Sequence, residues 1–242
     1  MPLPLLARLA RRRIRAGLPA PLRARLAALR GSYAGWASGR ALRRQPLALA
    51  RFVAFDLETT GPRMDRDRII AIGAIAVAER AIVHADAFSA VLRQARSSSV
   101  ENILVHRIGG QQQLAGRLPA EALIEFLEFR GAAVAVAFRA EFDVTVLGRE
   151  LAAEVGIRVA PRCIDLALLL PALFPGTQND TLDDWLGHFA LGVIGRHDAM
   201  ADAYAAAQLL LIVLDAAQRS RARTVGDLYA IAAAQRWLGR RR

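Results

Sequence analysis

The feature that most constrains this chain is an apolar strand that ends in two carboxylates. The stretch RFVAFDLETTGPRM covers residues 51–64; its apolar run closes on Asp56, Glu58 follows, and Thr59-Thr60-Gly61-Pro62 breaks the chain. Residues two apart on a strand share a face, so both carboxylates point the same way. Two such groups a few ångströms apart repel, and each resists losing water. Either the pair marks a solvated strand end, or a cation is held there.

The surrounding patterns set the architecture. RIIAIGAIAVAE (68–79) and AIVHADAFSAVL (81–92) read as two more strands joined tightly at Glu79-Arg80. After a polar stretch, LPAEALIEFLEFR (118–130) is an amphipathic helix opened by a proline, and AAVAVAF (132–138) a short buried strand. A helix over 141–156, a fifth strand over 159–166 and helices near 166–173, 181–190, 197–219 and 224–239 complete the series. Three strands in a row, then alternating helix and strand, describe an α/β fold: a mixed five-stranded sheet flanked by helices.

Charge divides the chain. Residues 1–50 hold 11 arginines and no acid, whereas 51–242 hold 22 arginines and 22 acids, so the net +11 sits in the first fifth. Such an arm suits a polyanion, nucleic acid or an anionic membrane surface, and equally a solvated extension. LPAPLRARLAALRG (18–31) spaces Leu22, Leu26 and Leu29 for a short helix, and GSYAGWASG (31–39) reads as a connector. The expected division is a basic extension over 1–48, a main domain over 49–220 and a C-terminal helix over 221–242. A single cysteine, Cys163, excludes an internal disulfide and fits a reducing, cytoplasmic setting. The apolar runs at 166–174 and 209–214 are too short to span a bilayer, so no integral membrane segment is expected.

Two further segments supply partners for the carboxylates. Asp143, in AFRAEFDVTVL, lies in the first turn of a helix, where an acid is ordinary. In RHDAMADA (196–203), His197 and Asp202 are five apart, which on an ideal helix turns them about 140° from each other. They can meet over one site only if His197 belongs to the loop before the helix.

Taken in order, D-x-E, then F-D, then H-x-A-x-x-D-A, these segments resemble the three motifs of the DEDDh family of 3′–5′ exonucleases. That family includes the proofreading epsilon subunit of bacterial DNA polymerase III, ribonuclease T and oligoribonuclease-like enzymes. The resemblance covers roughly residues 51–215 and implies a ribonuclease H-like fold. It also implies a site for two divalent ions, Mg²⁺ or Mn²⁺, held by Asp56, Glu58, Asp143 and Asp202, with His197 as general base. Thr59, Thr60, Gly61, His106 and Phe138 become candidate substrate contacts. Many relatives carry His-Asn where this chain has Phe138-Arg139, and often Thr at Gly109, so substrate handling differs. The implied activity is release of nucleoside 5′-monophosphates from a single-stranded DNA 3′ end, in proofreading or repair beside a DNA polymerase or replication assembly. The alternatives are the same chemistry on RNA or short oligonucleotides, and a non-catalytic nucleic-acid-binding module.

Overall fold

The computed structural model describes residues 12–29, 40–157, 162–192 and 195–239. Its sheet comprises β1 (Phe52–Thr59), β2 (Ile69–Ala78), β3 (Ala81–Val91), β4 (Val134–Ala137) and β5 (Cys163–Asp165), in spatial order β3-β2-β1-β4-β5. β1, β2 and β3 pair antiparallel, while β4 and β5 run parallel to β1. The β2–β3 turn places Glu79 and Arg80 at φ 50° and 63°. Two left-handed residues match a two-residue hairpin to strand twist, here without the usual glycine.

Helices cover both faces. In chain order they are α1 (Ala20–Ala28), α2 (Arg40–Arg44), α3 (Val100–His106), α4 (Gly110–Ala115) and α5 (Pro119–Arg130). After β4 come α6 (Glu141–Glu150), α7 (Leu166–Leu173), α8 (Leu182–His188), α9 (Ala199–Arg219) and α10 (Val225–Gly239). Alternation along β1 decides what each face packs against. Val53, Phe55 and Leu57 join one core with α5 and α6, and Phe52 and Ala54 join another with α7, α9 and α10. Asp56 and Glu58 continue the second set, so they emerge on the α9 side. α9 is long and apolar enough to cross a membrane by length and composition alone. Here it lies along the sheet as a core helix, with Leu209, Leu210 and Val213 buried.

Described residues before position 48 pack against those after it. Leu18, Leu22, Leu26 and Leu29 are buried in the α5-side core, and Arg25 Nε donates to Glu128 Oε1 on α5 at 2.9 Å. The connector expected over 31–39 lies outside the described residues. At the other end, the Leu47 N–H donates to Arg223 O at 2.9 Å and the Val225 N–H to Gln45 O at 3.0 Å, around a Pro46–Thr224 bridge. The last helix is thus bound to residues 45–47 and packs within the main core. Within the polar stretch before α5, α3 and α4 are too short to show a helical period. The start of α3 is set by its cap, where Ser99 Oγ accepts the Asn102 N–H at 3.3 Å.

Candidate active site

Asp56 and Glu58 leave the end of β1 on the face that receives the first turn of α9, where Asp202 is buried. One carboxylate oxygen from each of the three lies within 4.8 Å of the others. Burial raises the Asp56 carboxyl well above the usual range, and Asp143, Asp202 and Glu58 add repulsion. Glu58 is pushed up to about 7, first by burial and then by Asp202 and Asp198. Three oxygen donors that repel one another in a half-buried notch suit a hard divalent cation, which prefers carboxylate oxygen and water.

Asp143 stands beside this cluster, in the first turn of α6 as expected. It is buried, and burial pushes its carboxyl up to about 8, with Asp165 and Glu58 contributing. Asp165 itself caps α7, its Oδ1 accepting the Ala167 N–H at 3.0 Å. Arg139, in the turn that launches α6, is left-handed at φ 54°.

His197 belongs to the loop, because α9 is capped by Asp198, whose Oδ1 accepts from Met200 N at 3.0 Å and Ala201 N at 2.9 Å. The His197 backbone is left-handed (φ 59°) and its N–H donates to Asp202 Oδ2 at 3.2 Å. The residue is exposed.

The candidate substrate contacts fare unevenly. Thr59 Oγ1 donates to Gly61 O at 2.7 Å, and Thr60 Oγ1 donates to Asp67 Oδ1 at 3.1 Å while accepting the Arg68 N–H. Both hydroxyl protons therefore hold the turn itself. A side chain at Gly61 would press on Asp67 Oδ2, 2.7 Å from the added carbon. His106 requires a correction, because it is only 2% exposed. Its Nδ1 accepts the Ile108 N–H at 2.9 Å, so Nε2 carries the proton toward Asn102 Oδ1, also at 2.9 Å. Asn102 in turn donates to Thr59 O at 3.1 Å. The ring is thus a brace between α3 and the Thr-Thr-Gly turn, not an open surface for a nucleotide. Phe138 is half-buried at the edge of the α9-side core, and Arg139 donates to Asp180 O at 3.0 Å.

Two residues escaped the reading of the sequence. Gly73 pairs with Asp56 across β1 and β2, and a carbon added there would meet the Ala199 and Met200 backbone at 2.2–2.3 Å. The absent side chain is what lets the start of α9 lie on the sheet beside Asp56. A glycine inside so apolar a strand was the available signal, since it commonly marks close approach of another backbone. The second is Arg196, which bonds Asp202 Oδ1 through Nη1 and Asp183 Oδ1 through Nε. Nothing in its spacing singles it out among 33 arginines.

Residues 53–210 match the exonuclease (RNase T) family. The PolC-type DNA polymerase III of Caldanaerobacter subterraneus is 29% identical over 182 residues, which cover 74% of this chain and 13% of that protein. The epsilon subunit of DNA polymerase III from Treponema pallidum is 28% identical over 67% of this chain and 76% of its own length. The chain therefore spans only about an eighth of the length of the PolC-type relative. Among solved structures, E. coli exonuclease I in complex with a dT13 oligonucleotide aligns with a TM-score of 0.60 and 18% identity, over 70% of this chain and 42% of that one. Exonuclease X in complex with 5′ overhanging duplex DNA aligns at 0.57 and 23%, over 76% and 99%. Both share the ribonuclease H-like fold, a mixed five-stranded sheet flanked by helices. Asp56, Glu58, Asp143, His197 and Asp202 all lie inside the matched stretch, and the chain belongs to the exonuclease family.

Proposed function

We propose that this domain hydrolyses the terminal phosphodiester bond at the 3′ end of single-stranded DNA, releasing nucleoside 5′-monophosphates. The observation that carries this reading is the convergence of Asp56, Glu58 and Asp202 oxygens within 4.8 Å, on the one face of β1 that α9 closes. Asp56, Glu58 and Asp202 would hold one divalent ion, with Asp56 and Asp143 holding a second. Mg²⁺ or Mn²⁺ bound there would supply neutralisation of the phosphate charge and stabilise the attacking and leaving oxygens. His197, on the loop before α9, accepts the proton of the attacking water as general base. The water oxygen forms the new bond to phosphorus, the bond to the 3′ oxygen breaks, and that oxygen takes a proton from solvent to leave as the 3′-hydroxyl of the shortened strand. Gly73 keeps the start of α9 beside Asp56, and the Asn102–His106 pair holds the Thr-Thr-Gly turn.

The polymerase relatives and the oligonucleotide in the exonuclease I structure support single-stranded DNA, with proofreading beside a DNA polymerase or replication assembly as its setting. Purified protein incubated with 5′-labelled single-stranded DNA, duplex DNA, RNA and dinucleotides, in Mg²⁺, Mn²⁺ or EDTA, tests the reading. The expected result is a ladder shortening from the 3′ end of single-stranded DNA, abolished by EDTA and by Asp202→Ala. Faster loss of RNA would reassign the substrate, and binding without cleavage would make the domain a non-catalytic module.

A further inference from the structure

Arg196 sits one residue before the proposed base and grips a proposed metal ligand. Its Nη1 bonds Asp202 Oδ1, its Nε lies 2.5 Å from Asp183 Oδ1 on α8, and the side chain is 24% exposed. The other oxygen of Asp202 accepts the His197 N–H, so both oxygens of this carboxylate have donors. Among the described residues, Arg196 is also the cation whose field opposes the charge build-up on both Asp56 and Glu58. A planar guanidinium held in a fork between two carboxylates is a well-ordered counter-ion. A divalent ion ligated by Asp202 must share an oxygen with the guanidinium or with the His197 amide, and at either oxygen it meets the guanidinium's positive charge.

We infer that Arg196 is an internal counter-ion that competes with the divalent metal for Asp202, keeping the acidic cluster folded at low metal and setting the concentration at which the site loads. Arg196 then acts as a positioning residue. Asp183, far from any role as a ligand, serves as the outer anchor that holds the guanidinium over the notch. The inference rests on the metal reading given under the proposed function.

Direct Mn²⁺ binding tests it without any turnover, by calorimetry and by loss of the free-ion electron paramagnetic resonance signal. Arg196→Ala should bind Mn²⁺ roughly tenfold more tightly than the wild type, the equivalent of one pK unit of differential interaction. Arg196→Lys, which keeps the charge and loses the fork, should fall between them. In EDTA, Arg196→Ala should lower the melting temperature of the wild type but not of Asp202→Asn, the coupling expected if the two residues act on each other. Equal Mn²⁺ affinity in wild type and Arg196→Ala, or equal destabilisation in both backgrounds, would overturn the counter-ion role and leave the metal site standing. A wild-type protein that binds no Mn²⁺ would overturn the metal reading itself.

Discussion

The two faces of β1 come from the same eight residues and do different work. On one face Val53, Phe55 and Leu57 enter a core with Phe126, Leu123 and Leu147. On the other, Phe52 and Ala54 pack, and then Asp56 and Glu58 hold open a polar notch beneath α9. Like charges are buried together on the second face. Such a division is what a preorganised site requires, since strained groups persist only where surrounding packing holds them.

Substitutions on the two faces should therefore separate activity from stability. The largest effect is expected for Asp56→Asn, which removes a ligand shared by both proposed ions. Metal-dependent release of nucleotides should fall by on the order of 10³-fold or more. Melting in EDTA should stay level or rise, because the repelled carboxylate is gone; a collapse of folding in EDTA would erase the contrast between the faces. On the opposite face, Phe126→Ala should cost about 3–5 kcal/mol of stability, given a fully buried ring 5.6 Å from Phe55 and 5.8 Å from Phe88. The rate per folded molecule should hardly change, as denaturant titration alongside single-turnover kinetics would show.

Gly73→Ala probes the seam between the faces. The added carbon overlaps the α9 backbone, so about 1–3 kcal/mol of stability should go. Mn²⁺ affinity should go with it, because Asp202 moves with the helix. Unchanged Mn²⁺ binding would mean that α9 is not placed by this contact.

The pH response should be smaller and of a definite sign. Glu58 rises from 4.5 to about 7 and Asp143 from 3.8 to about 8 on folding, so the folded state binds more protons across those ranges. Without metal, stability should thus fall as pH climbs from about 4 toward 8, and saturating Mn²⁺ should flatten the slope. Melting curves in EDTA that gained stability over this range would contradict the burial of these carboxylates. Smallest of all, Arg25→Ala breaks a partly exposed pair with Glu128 and should cost under about 1 kcal/mol.

Much of the fold was legible in the sequence, because strands and long helices repeat their apolar residues at fixed periods. The series of five strands along the chain could be read without coordinates, and Asp56, Glu58, Asp143 and Asp202 stood out there as candidate ligands. What escaped depends on proximity that spacing does not encode. Leu22 and Leu26 looked like one face of a free helix, and only α5 reveals what covers them. His106 stood out as a candidate substrate contact, yet its ring is buried and bonded to Asn102. Gly73 and Arg196 act on residues more than a hundred positions away or across a turn, so neither could be weighed before the chain was folded.

The hydrogen bond from the His197 amide to Asp202 has a kinetic consequence. The residue proposed to move a proton and the residue proposed to hold charge share one mechanical link, through a backbone that is already left-handed. A substitution at Asp202 unhooks that loop as well as deleting a ligand, so losses measured singly at the two positions will not sum. An enzymologist dissecting this site one residue at a time would overcount it. The pair behaves as a single part with two chemical ends.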